Sequence, residues 1–181
     1  CLAQMIISIH REASNQRPFD WSPRLKLAES SLTLALMDRD IDMANQAIRL
    51  YREVAQLDPQ APWHWEWLAA AYITVGRSEA ALEPLEKSLA ILDGAPRSAR
   101  PRLLQGLAYS QLDEHASALK SFDAAIRLNP KLADAYTNRG ASYNALGQYQ
   151  RAIQDLDEAI KLNPEMAMAY NNRGNSYGNL D

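Results

Sequence analysis

The chain has 181 residues and a formal net charge of −3, long enough for one ordinary domain or about five short repeats. Its mild acidity argues against a nucleic-acid binder, which carries a basic patch or stripe, and no apolar run approaches the roughly 20 residues needed to cross a bilayer. Cys1 is the only cysteine, which leaves no internal disulfide and no cysteine-based metal site.

Cys1 resembles the first residue of a mature bacterial lipoprotein, but no polar tether comes after it. The plainer reading is a chain cut from something longer; a cytoplasmic setting is the default and a lipid anchor the minor alternative. Leu2, Met5, Ile6 and Ile9 fall at helical spacing and predict an amphipathic helix over 2–13. Residues 15–23 mix turn formers with Phe19 and Trp21, a loop whose aromatics pack on the first hairpin. Residues 1–22 therefore stand apart as an N-terminal helix and loop.

From Pro23 to Met37, Leu25, Leu27, Leu32, Leu34, Ala35 and Leu36 predict a buried helix, with Pro23 suited to its first turn. Asp40 is a candidate N-cap for the next helix, where Ile41, Ala44, Ala47, Ile48, Tyr51, Val54 and Ala55 lie three and four apart. Asp58-Pro59 closes this first hairpin, 23–59. A second hairpin, 60–93, puts Trp65, Leu68, Ala69, Tyr72 and Val75 on one face, Gly76 where a helix ends left-handed, and Ser78 as a cap for the helix through Leu89. A turn-rich connector runs from Gly94 to Ser98.

The third hairpin, 99–132, carries Gly106, Tyr109, Leu112, Ala118, Phe122 and Ala125, with Pro101 harmless in a first turn. The fourth, 133–166, carries Tyr136, Gly140, Tyr143, Gly147, Ala152, Leu156 and Ala159. The fifth, 167–181, has Tyr170, Gly174 and Tyr177 and reaches only a first helix. Asn129-Pro130 recurs as Asn163-Pro164, Tyr136 as Tyr170 and Tyr143 as Tyr177, each pair 34 residues apart. A fixed period of that size is the signature of stacked repeats. Gly140, Gly174 and Ala152 fall where two helices of a hairpin must approach closely, and Tyr143 and Leu156 fill the space beside them.

With these residues in view, the chain resembles the tetratricopeptide-repeat family, whose 34-residue unit is a helical hairpin with this spacing of small, aromatic and closing proline residues. The match is strong over 99–180, fair over 62–93, weak over 23–59 and absent before that. Arg102 stands where an aromatic is expected and Ser88 where an alanine is. The resemblance implies an all-α fold, a right-handed α-α superhelix or solenoid of antiparallel hairpins with about four full repeats plus a half repeat. It also implies a non-catalytic module that binds a peptide or partner protein in a concave groove.

The residues offer no competing chemistry. His10, His64 and His115 have no metal-ligand spacing, and the glycines form no phosphate loop or dinucleotide fingerprint. Asp155, Asp157 and Glu158 read as a solvated outer face, while Arg139 and Arg173 are expected to pack at repeat junctions and pair with acids such as Asp155. No catalytic residue, cofactor or metal is expected.

What remains is the groove lined by first helices. Its expected positions are Trp63, Glu66, Trp67, Ala70 and Ile73, then Leu103, Leu104 and Leu107. Thr137, Asn138, Ala141 and Asn144 come next, and Asn171, Asn172 and Asn175 end the series. The partner contacts chosen from these are Trp63, Trp67, Leu104, Leu107, Asn138, Asn144, Asn171, Asn172 and Asn175. Asn138 and Asn172 are equivalent, and an asparagine amide offers both a donor and an acceptor to an extended backbone. They resemble the asparagine ladder of tetratricopeptide domains that hold extended chains, including that of the enzyme transferring N-acetylglucosamine to protein hydroxyls. The alternative is that they merely complete a soluble repeat.

The family's clamp for chaperone C-termini needs lysine and arginine, and here Leu103 and Leu104 stand instead. Trp63 and Trp67 share a helix face; they either anchor a partner side chain or pack under the preceding repeat. Two other roles stay open: an arm of a larger enzyme or transcriptional regulator, and a scaffold that self-associates through the fifth repeat.

Overall fold

The computed structural model describes residues 21–38 and 40–180. The helix expected over 2–13, the loop aromatic Phe19 and the anchor considered for Cys1 lie outside them. Among the described residues there are nine α-helices and no strand: α1 (Trp21–Asp38), α2 (Ile41–Leu57), α3 (Pro62–Thr74), α4 (Ser78–Leu92), α5 (Ala99–Gln111), α6 (His115–Leu128), α7 (Ala133–Ala145), α8 (Tyr149–Leu162) and α9 (Ala167–Gly178), with a 3₁₀ turn at Pro96–Ser98 before α5. Two compact units divide the chain, the first ending at Ile91 and the second beginning at Leu92.

Turn chemistry sets the helix ends. Asp40 caps α2, its carboxylate accepting from the backbone N–H groups of Asp42 and Met43 at 2.9 and 3.1 Å, which satisfies two of the donors a helix start leaves open. Gly76 at φ +75° and Gly147 at φ +69° end α3 and α7 in the left-handed region, and Asp113 at φ +58° does the same after α5. Aspartate tolerates that region better than most side chains, so the turn survives without its glycine. Ser78, expected as a cap, is instead the first residue of α4 and is buried. Trp21, expected in the loop, opens α1.

In the first unit α1 packs on α2 and α2 on α3. Leu27 and Leu34 form a core with Met43 and Leu50 against them. Leu36 and Ile41, counted with the apolar stripes, are 52% and 70% exposed. They flank the turn between α1 and α2, where no other helix among the described residues covers them. Burial of Tyr51, and secondarily the Glu29 carboxylate, push its phenol from 10.0 up to about 12. The folded state thus disfavours tyrosinate, so this contribution is complete below pH 10 and lost as pH rises toward 12. Far-UV circular dichroism against pH should show the first unit destabilised by roughly 2 kcal/mol across that window, and Tyr51→Phe should remove that part of the alkaline loss.

In the second unit each helix packs on the next from α5 to α6, α6 to α7, α7 to α8 and α8 to α9. Ala152, Leu156, Ala159 and Ala169 are fully buried and Tyr136, Tyr143, Ile160 and Met166 lie against them. Of the two glycines expected at close approaches, Gly140 is at one and Gly174 is not, while Gly106 supplies a close approach that was not expected. A Cβ at Gly106 would sit 2.4 Å from Cε1 of Phe122, and one at Gly140 would sit 2.8 Å from Cγ of Leu156 and 3.2 Å from the Ala152 carbonyl. Gly174, expected to match Gly140, has nothing within 4 Å among the described residues. Tyr170 and Tyr177 on the same helix are correspondingly exposed, 42% and 52%.

Candidate functional site

The second unit brings three first helices side by side, because α7 touches both α5 and α9. A polar clasp repeats along them. The Ser142 hydroxyl donates to its own helix at the Asn138 carbonyl (3.1 Å) and lies 3.2 Å from the Ser110 hydroxyl of α5. One repeat later the Ser176 hydroxyl lies 2.8 Å from both the Asn172 carbonyl and Oδ1 of Asn144 on α7. Both helix-to-helix contacts join residues 32 apart in sequence. These serines were not singled out from the sequence, although Ser142 and Ser176 are themselves one period apart.

A second device joins the helices from behind. Arg139 grips the Asp155 carboxylate with two parallel bonds, Nε to Oδ2 at 2.7 Å and Nη2 to Oδ1 at 2.6 Å, and reaches Asp123 of α6 through Nη1 at 2.6 Å. Its guanidinium also lies over the Tyr136 ring, 5.6 Å from the centroid. Burial works against the Arg139 charge, but the bonds and charges of Asp155 and then Asp123 outweigh it and raise its pKa above the ordinary guanidinium value. Asp155 is therefore not part of a solvated face: it is buried and paired. Asp157 and Glu158 do lie further out, Asp157 on Arg173 at 2.6 Å and Glu158 on Lys161 at 3.1 Å. The hydrogen bond that Arg173 donates to Asp157, first, and the Asp157 charge raise the Arg173 pKa.

The expected groove residues separate into three kinds. Leu103, Leu104 and Leu107 of α5, Asn138 and Ala141 of α7 and Asn172 of α9 are half-buried, and Asn171 and Asn175 of α9 are exposed. Asn144 is half-buried too, but both ends of its amide are engaged: Nδ2 donates to the Asn172 carbonyl at 3.1 Å and Oδ1 accepts from Ser176. Thr137 is not on the groove at all. It is buried, with its hydroxyl on the Ala133 carbonyl and 2.8 Å from the Met166 sulfur. The Asn138 amide donates to the Asp134 carbonyl at 2.7 Å, which leaves its Oδ1 as an acceptor. Asn172 engages its main-chain carbonyl, while its side-chain amide meets no hydrogen-bond partner among the described residues.

In the first unit, Trp63 is 43% exposed and Trp67 half-buried. They hold the buried His64 ring between them at 5.8 and 5.2 Å. His64 Nδ1 lies 3.3 Å from the Asp58 carbonyl and the Trp65 indole N–H donates to the Pro59 carbonyl at 3.0 Å, tying the turn before α3. Glu66 and Ile73, expected to face a partner, are buried instead. Glu66 accepts a hydrogen bond from Ser88 at 3.2 Å, which accounts for a serine where the repeat pattern expects alanine. Arg102 similarly meets Gln105 at 3.0 Å in the place of the missing aromatic. No group of histidine, cysteine and acidic residues that could hold a metal occurs among the described residues, and none of their helices is long and apolar enough to cross a membrane.

Paired helices with a 34-residue period, tight glycine crossings and periodic polar clasps define a helical-hairpin repeat protein. The tetratricopeptide-repeat model matches residues 133–166 and a related repeat model matches 106–147; over 106–166 the chain carries tetratricopeptide repeats. Solved structures agree. MamA is 25% identical with a TM-score of 0.66, covering 88% of this chain and 84% of its own. YrrB, described as a tetratricopeptide-repeat protein with an unusual peptide-binding site, is 16% identical with a TM-score of 0.69 over 95% of this chain and 84% of its own. The first repeat domain of Spaghetti (RPAP3), solved bound to an HSP90 peptide, is 24% identical with a TM-score of 0.62 over 68% of this chain and 95% of its own. No curated protein matches the chain in sequence.

Proposed function

We propose that the chain is a protein-interaction module and that its second unit holds an extended peptide segment of a partner protein along α5, α7 and α9. The observation that carries this reading is the state of two equivalent asparagines. Asn172 has an uncommitted side-chain amide and Asn138 an uncommitted Oδ1, on adjacent first helices one period apart. An extended backbone needs alternating donors and acceptors at such intervals. Leu104 and Leu107 supply an apolar stretch beside them, and Asn171 and Asn175 an exposed polar rim. Asn144 acts differently from its neighbours: it fixes the spacing of α7 and α9 and so positions Asn172. Peptide binding by the Spaghetti domain and the site named for YrrB support the use of this fold for such segments. Trp63 and Trp67 belong to the other unit and serve, in this reading, as a separate apolar contact.

An array of capped twelve-residue peptides tests it. Asn138→Ala combined with Asn172→Ala should weaken the peptides the protein retains by roughly tenfold, two hydrogen bonds of about 1 kcal/mol each being lost in part. The melting temperature should not move, since neither side chain is buried. Unchanged binding by the double variant would overturn the ladder.

A further inference from the structure

At the beginning of the second unit, the 3₁₀ turn, the first two turns of α5, the α6–α7 loop and the first turn of α7 border an open cleft of about 490 Å³. That volume lies within the roughly 300–1,000 Å³ of clefts that accept small ligands or single anchoring side chains. Leu103 and Leu132 give it apolar walls, and Arg97, Arg100 and Asp134 its charge. Two guanidiniums against one carboxylate make the pocket locally positive in a chain whose net charge is −3. Arg97 is exposed and makes no hydrogen bond or ion pair among the described residues. Leu103, one of the expected groove positions on α5, is also part of this lining, so the cleft adjoins the groove there.

We infer that this cleft is the anchoring subsite for the bound peptide and that it selects an apolar side chain followed directly by an aspartate or glutamate. The inference rests on the groove reading and adds the chemistry of the ligand. The apolar side chain displaces water from Leu103 and Leu132. The neighbouring carboxylate meets the guanidiniums of Arg97 and Arg100, whose planar donor forks match its two oxygens. Asp134 belongs to the same lining, and its carboxylate disfavours a second added negative charge. The charge comes from a side chain within the segment, not from a chain terminus.

The test uses the whole chain and fluorescently labelled nine-residue peptides of serine and asparagine, N-acetylated and C-amidated, carrying Leu-Glu, Leu-Lys or Ser-Glu at the centre. Leu-Glu should bind roughly tenfold more tightly than either of the others. Arg97→Glu should abolish the preference for Leu-Glu over Leu-Lys and leave the thermal melt unchanged, Arg97 being exposed and without a partner among the described residues. A preference that the arginine variant leaves as it was overturns the subsite, and so does binding that appears only when the terminal carboxylate is left free. If Leu-Glu and Leu-Lys bind alike and both are weakened by Asn138→Ala with Asn172→Ala, the groove reading stands and the subsite falls. If no peptide binds, both fall.

Discussion

Phe122→Ala is expected to destabilise the second unit by about 3–5 kcal/mol. Phe122 is fully buried and is the largest such side chain among the described residues. Its ring closes the α5–α6 crossing against Gly106, where even a methyl group would lie 2.4, 2.6 and 2.8 Å from three ring carbons. The same contact approached from the other side gives a second expectation. Gly106→Ala should overpack it at a cost of roughly 1–3 kcal/mol. Because both changes act on one contact, Gly106→Ala with Phe122→Leu should cost less than the two single changes added together. Chemical denaturation followed by circular dichroism measures all of these. A loss below about 1 kcal/mol for Phe122→Ala would mean that the crossing does not hold the repeat together.

Asp155→Ala should cost the second unit about 2–4 kcal/mol, because it leaves the guanidinium of a mostly buried arginine without its two-bonded partner. The Arg139 and Asp155 side chains are 18% and 9% exposed. Asp123, 41% exposed, remains as a weaker partner, and the loss should fall short of a complete orphaning for that reason. The pair one period after Arg139 and Asp123 provides the control. Arg173 and Asp157 are 30% and 51% exposed, so Asp157→Ala should change stability by no more than about 1 kcal/mol. Equal losses at the two sites would contradict the assignment of Asp155 to the interior.

Most of the helical framework could be read from spacing. The stripe of α2 from Ala47 to Ala55 is buried as its three-and-four pattern requires, and Asp40, Gly76 and Gly147 mark their helix ends by the ordinary chemistry of caps and left-handed turns. What sequence spacing could not reveal is which polar residues a neighbouring helix covers. Periodicity gives the angle at which Thr137, Glu66 and Asn144 leave their helices, but the partner comes from the next layer: Met166 for Thr137, Ser88 for Glu66, Ser176 for Asn144. Asp155 reads as solvated for the same reason: its pairing with Arg139 follows the expectation, but its burial comes from the packed helices. The expectation at Gly174 failed in the opposite sense. The repeat pattern identifies the residue correctly, but close approach needs a second helix, and the described residues place none over it.

The groove obeys the same physics. Asn138, Asn144 and Asn172 are one residue type on one kind of surface, yet Asn144 is consumed by stacking while Asn172 keeps its amide open. Function on such a surface depends on which amides the scaffold leaves unspent, and that is a property of the packed repeats rather than of any single helix.

The most direct test is a titration of the nitrogen-15-labelled protein with the capped Leu-Glu peptide, observing backbone amides and asparagine side-chain resonances. Shifts should concentrate on Leu104, Leu107, Asn138 and Asn172, with the Asn144 amide and the outer residues of α6 and α8 nearly still. Shifts confined to α6 and α8, or to Trp63 and Trp67 alone, would contradict peptide binding along the first helices.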